Sequence, residues 1–135
     1  MEYEPKHADV ARKNLLFAGL EEKVEVKVGA AVDTLPQLVG DSRCPFDLIF
    51  IDADKENYCH YFAWSLKLAK KGSLIIADNV VRNGGVLDRD HADSRVQGIR
   101  KFNEVVAAET RVDTTVIQTV GSKGYDGFAL IYVTS

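Results

Sequence analysis

Phe46-Asp47-Leu48-Ile49-Phe50-Ile51-Asp52-Ala53-Asp54-Lys55 is an apolar run that ends in two carboxylates and an ammonium. Leu48 to Ile51 are apolar without alternation, which predicts a strand buried on both faces, as in a parallel sheet covered by helices. Asp52 then falls at the C-terminal end of that strand. In open α/β sheets, ligands bind outside the carboxyl ends of the strands, so a polar cluster here would meet a substrate. On this stretch alone, Asp52 and Asp54 are equally compatible with a simpler role: stopping the strand and capping a helix that begins near Glu56.

Outward from the run, strand-like and helix-like segments alternate. On the C-terminal side, a helix from about Glu56 to Ala69 carries Tyr58, Phe62, Leu66 and Ala69 on one stripe, and Lys70-Lys71-Gly72 is expected to close it. Leu74-Ile75-Ile76-Ala77 is a second continuously apolar strand, and it too ends in polar residues, Asp78-Asn79. Residues 82–93 read as a loop. Ser94 is the expected cap of a helix to about Ala108 that buries Val96, Ile99, Phe102, Val105 and Val106. Val112 to Val120 and Phe128 to Val133 read as an antiparallel pair, joined by Gly121-Ser122-Lys123-Gly124-Tyr125-Asp126-Gly127. On the N-terminal side, Glu2-Tyr3-Glu4-Pro5 reads as a strand end and turn before a helix with Ala8, Ala11, Leu15 and Ala18 at helical spacing, stopped by Gly19. Val24-Glu25-Val26-Lys27-Val28 alternates as a strand does. A short helix fits Ala31 to Leu38, with Pro36 in its first turns or breaking it.

Composition narrows the class. The chain has 135 residues, 46% of them hydrophobic, and a net charge of −3. Residues 1–135 are read as one domain. Lys and Arg are scattered among Asp and Glu, so the chain lacks the basic stripe that nucleic acid requires, and no run approaches the length of a membrane helix. Small molecules are the expected partners. Cys44 and Cys59 have neither metal-ligand spacing nor a disulfide framework, and Met1-Glu2-Tyr3-Glu4 has no signal-peptide character; a cytoplasmic protein with free thiols is expected.

Two apolar strands ending in acids strengthen the chemical reading of the opening run. Asp52 and Asp78-Asn79, side by side, would offer two carboxylates and an amide oxygen, a hard donor set suited to magnesium, calcium or manganese. Zinc is not expected, because His7, His60 and His91 are isolated. A cation there would hold two neighbouring hydroxyls and acidify one, with Lys55 near enough to accept the proton or stabilise the oxyanion.

The string Asp52-Ala53-Asp54-Lys55-Glu56-Asn57-Tyr58 with Ala77-Asp78-Asn79-Val80, Asn83-Gly84 and Asp126-Gly127 resembles the cation-dependent O-methyltransferases, the caffeoyl-CoA and catechol O-methyltransferase group. Glu2-Tyr3-Glu4-Pro5, Val28-Gly29-Ala30-Ala31 and Leu35-Pro36-Gln37-Leu38 extend the resemblance in the same order. It implies a Rossmann-like α/β methyltransferase fold, mostly parallel with a C-terminal antiparallel hairpin. It also implies transfer of a methyl from S-adenosylmethionine to a catechol-type or other vicinal-hydroxyl small molecule. By the same resemblance, Asp52, Asp78 and Asn79 are metal ligands, magnesium first, and Lys55 is the general base. Glu2, Tyr3, Gly29, Ala30, Ala31 and Asp52 are cofactor contacts, with Glu2 on the ribose hydroxyls and Tyr3 beside the adenine. Asp54 is expected to be a cap or a supporting acid, and Arg82 a surface residue. The family's first strand and glycine-rich cofactor loop have no counterpart before Glu2. The resemblance therefore implies a partial, N-terminally truncated domain, and a homo-oligomer, expected as a dimer. The competing reading is a catalytically incomplete oligomerising or binding domain that keeps the metal site; a nucleotide-binding oxidoreductase half-domain is weaker because no phosphate loop is present.

Overall fold

The structure is a computed structural model that describes residues 1–122 and 124–135; Lys123, in the connection expected between the last two strands, lies outside the described residues. The chain forms two compact units, Met1–Asp41 and Ser42–Ser135.

In the first unit, helix α1 (Pro5–Phe17) begins with proline, whose missing N–H is no loss at a helix start, and Glu4 caps it by accepting from the Lys6 N–H. Helix α2 (Ala31–Thr34) runs into a 3-10 turn at Leu35–Leu38, so of the two outcomes expected at Pro36 the helix breaks, changing type one residue before the proline. The strand expected at Val24–Val28 does not form. Only Val28 pairs, through a single parallel bridge to Glu2. Alternation predicts a strand only where a partner runs alongside, and here the partner is one residue long.

The second unit is built on a four-stranded mixed sheet. Strands β1 (Phe46–Ile51), β2 (Ala69–Asp78), β3 (Val112–Gly121) and β4 (Gly124–Val133) lie in the order β1-β2-β4-β3. β1 and β2 are parallel; β4 is antiparallel to both its neighbours, so the expected hairpin is present. β1 departs from the two-sided burial expected of it. Ile51 is buried, whereas Leu48 and Phe50 are 58% and 59% exposed. β1 is an edge strand of this sheet, and an unbroken apolar run signals a strand without fixing how many of its faces are covered.

Helix α3 (Tyr58–Leu68) follows a 3-10 turn at Lys55–Asn57 and connects the two parallel strands. Its buried face is Tyr58, Tyr61, Phe62, Ser65 and Leu68. The expected Tyr58-Phe62-Leu66 stripe drifts off this face because each four-residue step overshoots a full turn by about 40°. Lys70-Lys71-Gly72 does not close the helix but enters β2, where Lys70 pairs with Asp47 at 2.6 Å and the buried Ser73 hydroxyl donates to the Phe46 carbonyl at 2.7 Å. Helix α4 (Ser94–Ala108) is capped by Asp93, one residue before the expected Ser94. It buries Val96, Ile99, Phe102 and Val106. Phe102 packs edge-to-face on Tyr58 and Phe62, with centroids 5.5 and 5.9 Å away.

Ion pairs at both ends of α4 give the second unit an acid limb. A hydrogen bond from the Arg95 guanidinium holds Asp93 at about 2, from an ordinary 3.8, and Arg111 holds Glu109 at about 2, from 4.5. Both carboxyls bind protons more weakly folded than unfolded. Their stabilisation is therefore complete above the unfolded values and lost as pH falls through about 2. In thermal melts at decreasing pH, an Arg95→Gln/Arg111→Gln variant is expected to lose less stability across this window than the parent. Parallel curves would remove the pairs as its cause. High salt should shrink the difference, because the pairs are exposed.

Candidate active site

The parallel register places Ile51 against Ala77, so the next residues, Asp52 and Asp78, leave adjacent strands at the same edge of the sheet. Behind them the 3-10 turn at Lys55–Asn57 brings the Lys55 side chain back toward that edge. Its Nζ donates to Asp52 Oδ1 at 2.9 Å and to the Tyr58 hydroxyl at 2.6 Å. Tyr58 in turn reaches the carbonyls of Ile51, at 3.2 Å, and Asp78, at 3.0 Å, the last residues of β1 and β2. Lys55 is buried, while the Asp52 side chain is 51% exposed.

Burial lowers the Lys55 pKa, but hydrogen bonds to Tyr58 and Asp52 outweigh it, and the net shift is upward. Burial raises the Tyr58 pKa against the opposing pull of Lys55. Both shifts act in the same sense, favouring the ammonium form of Lys55 and the neutral phenol of Tyr58. Tyr58, expected only as a core residue of the stripe, has a second role. The available signal was its place three residues after Lys55, one helical turn on, where side chains meet.

Asp54 occupies the N-cap position of the turn but makes no capping hydrogen bond. Its carboxylate accepts instead from the Tyr61 hydroxyl and from Asn57 Nδ2, which braces the turn from its outer side. Burial, followed by the bond to Asp54, raises the Tyr61 pKa.

After β2 the chain turns sharply. Asn79, Arg82 and Asn83 all have positive φ, near +59°, +54° and +52°. Such residues persist only where their surroundings hold them, and Asp126 holds this turn at Arg82 and its neighbour: its Oδ1 accepts from the backbone N–H of Val81, Arg82 and Gly127, at 3.1, 2.9 and 2.9 Å. Gly127 must lack a side chain, because a Cβ would lie 2.7 Å from Val81 Cγ2 and 2.8 Å from the Ile117 carbonyl. An open cleft of about 400 Å³ lies beside this turn, lined by Asn79, Asn83, Thr119, Tyr125 and Asp126 among others.

The cofactor residues expected near the N-terminus lie in the first unit. The Glu2 N–H donates to the Lys27 carbonyl and the Gly29 N–H to the Glu2 carbonyl, both at 2.9 Å, so Glu2 and Gly29 are adjacent. The Glu2 carboxylate accepts from the Glu4 N–H. Ala30 and Ala31 open α2, and Tyr3 is 76% exposed. Among the described residues, no three or more His, Cys, Asp or Glu side chains converge as a metal cage. The expected set of Asp52, Asp78 and Asn79 has only two carboxylates and an amide. No helix among the described residues is long and apolar enough to cross a membrane.

A family profile described as O-methyltransferase matches residues 1–132. This chain belongs to the O-methyltransferase family. It is similar to a catechol O-methyltransferase of Niastella koreensis, 53% identical over 98% of this chain and 60% of that protein, and to one of Mycobacterium tuberculosis, 52% identical over 98% and 59%. Among solved structures, an O-methyltransferase from Bacillus cereus in complex with SAH superposes with a TM-score of 0.93 and 55% identity, covering 98% of this chain and 60% of that one. TomG from Streptomyces achromogenes, an O-methyltransferase involved in tomaymycin synthesis and solved with SAM, gives 0.94 and 47%, covering 99% and 60%. This O-methyltransferase-family chain thus spans about 60% of the length of these relatives, and its α/β fold is theirs.

Proposed function

We propose that this chain supports methyl transfer from S-adenosylmethionine to a hydroxyl of a catechol-type small molecule, assisted by a divalent cation at Asp52, Asp78 and Asn79. One observation carries the reading: the register of Ile51 against Ala77 brings two acids to one sheet edge, with the Lys55 ammonium already bonded to the first.

The donor set fits a hard cation by its chemistry, since all three side chains offer oxygen and Asp52 is half-exposed. Bound there, magnesium or a similar ion would acidify one of two vicinal hydroxyls. The chain's own residues do the rest. The cleft beside Asn79 would receive the body of the acceptor. Lys55, bonded to Asp52 at 2.9 Å, would take the proton of the acceptor hydroxyl, the general-base role implied by the resemblance, or stabilise the oxygen once deprotonated. Glu2 would accept from the ribose hydroxyls of the methyl donor, as a carboxylate can from two vicinal donors. Alignment of acceptor oxygen and methyl would supply much of the rate. The relatives solved with SAM and SAH support this cofactor, and nothing in the comparisons favours a catalytically silent domain.

Titration calorimetry with S-adenosylmethionine, with and without magnesium and a catechol, tests the proposal. Saturable cofactor binding and magnesium-dependent catechol binding are expected. Cofactor binding with no effect of magnesium on the catechol would remove the cation, and absence of cofactor binding would remove methyl transfer by this chain.

A further inference from the structure

We propose that Gly98, in the second turn of α4, is a positioning residue for Lys55: its bare backbone lets the helix seat on the Lys55–Glu56 backbone and fixes where the Lys55 ammonium stands. The inference rests on the functional reading above only for its effect on turnover.

A Cβ built at Gly98 would lie 2.5 Å from the Lys55 carbonyl oxygen, 2.9 Å from the Lys55 carbonyl carbon and 2.8 Å from Glu56 Cα. All three atoms are backbone and cannot rotate aside. The contact belongs to a ridge with four-residue spacing, the repeat that puts side chains on one helix face. One turn before Gly98, the Ser94 hydroxyl donates to Glu56 Oε1 at 2.8 Å; one turn after it, Phe102 packs on the Tyr58 ring. The ridge therefore holds the turn at its start, its middle and its exit into α3. On the other side, Asp54 braces the turn through Tyr61 and Asn57. Glycine inside a helix is ordinarily unfavourable relative to alanine, so helix propensity argues for alanine at this position and the close approach argues against it.

The test is Gly98→Ala, read by amide hydrogen exchange and by steady-state kinetics. Exchange at Asn57 and Tyr58, whose N–H groups donate to the Asp54 and Lys55 carbonyls, is expected to quicken at least tenfold while the β2 and β4 amides stay protected. Turnover is expected to fall roughly tenfold to a hundredfold, the penalty of a displacement near an ångström, with S-adenosylmethionine affinity unchanged. On a Lys55→Met background, Gly98→Ala is expected to have no further effect on residual turnover, because the group it positions is gone. Unchanged exchange at Asn57 and Tyr58 would overturn the proposal, and so would an equal loss of turnover on the Lys55→Met background, the mark of a general structural defect. If the parent chain transfers no methyl group, the functional reading falls, and the exchange measurement alone decides: local quickening upholds Gly98 as the residue that positions Lys55, and its absence overturns it. Should Gly98→Ala not fold, Ser94→Ala loosens the same ridge without adding bulk. Quickened exchange at Asn57 and Tyr58 would then uphold the proposal, and unchanged exchange would overturn it.

Discussion

Replacing Lys55 with methionine is expected to lower methyl transfer by roughly a hundredfold or more, the scale for losing a positioned charge beside developing negative charge. Methionine keeps most of the buried stem. Asp52, half-exposed, recovers hydration when the ammonium leaves, and the Tyr58 hydroxyl keeps the Ile51 and Asp78 carbonyls as partners. The melting temperature should therefore stay close to that of the parent, and cofactor affinity should be retained; among the described residues the Lys55 ammonium bonds to Asp52 and Tyr58, so any loss of affinity would act through Asp52, the expected cofactor contact it touches. Rapid-quench turnover with a labelled methyl donor, alongside calorimetry, separates these effects. Full activity in Lys55→Met would exclude Lys55 from the chemistry; a matching loss of cofactor affinity would reassign it to binding.

Asp126→Ala is expected to be strongly destabilising. One carboxylate oxygen serves three backbone N–H groups there, and alanine leaves all three without that acceptor in a turn that holds strained residues. A loss of about 3 kcal/mol is expected for such charge-assisted bonds, which corresponds to a fall of about 10 °C in melting temperature for a chain of this size. Asp126→Asn retains an acceptor oxygen and should recover much of the loss. Differential scanning calorimetry of the two variants against a substitution at an exposed site provides the comparison. If Asp126→Ala melts with the exposed-site control, the tie between the β2 turn and the β3–β4 hairpin is not what holds Arg82 in place.

Much of this architecture is legible in the chain. Two apolar strands ending in Asp52 and Asp78-Asn79 imply a shared edge, and the register provides it. The final antiparallel pair follows from its short connection. Several of the misread features depend on a partner distant in sequence. The apolarity of Leu48 and Phe50 says nothing of β1 being at the edge of this sheet. Alternation at Val24–Val28 could not show that only Glu2 would pair there. The Tyr58 ring is recognisable as core from its spacing, but its hydroxyl has a role only because the carbonyls of Ile51 and Asp78, 7 and 20 residues away, converge on it. Gly98 looks like a weak point in a helix until the Lys55 turn is packed against it. Asp126 is a loop acid until it is seen to hold the backbone of a loop more than 40 residues upstream.

The Tyr58 hydroxyl also acts as a strut. It touches the last carbonyls of two neighbouring strands at the point where the sheet's own ladder ends, and its ring is clamped in the core by Phe102. The gap between the two strand ends is thereby set by the folded chain before anything binds. A cation held at Asp52, Asp78 and Asn79 as proposed would have to match that gap or work against the strut. Discrimination by ionic radius at this edge would then be imposed by a residue that never touches the ion.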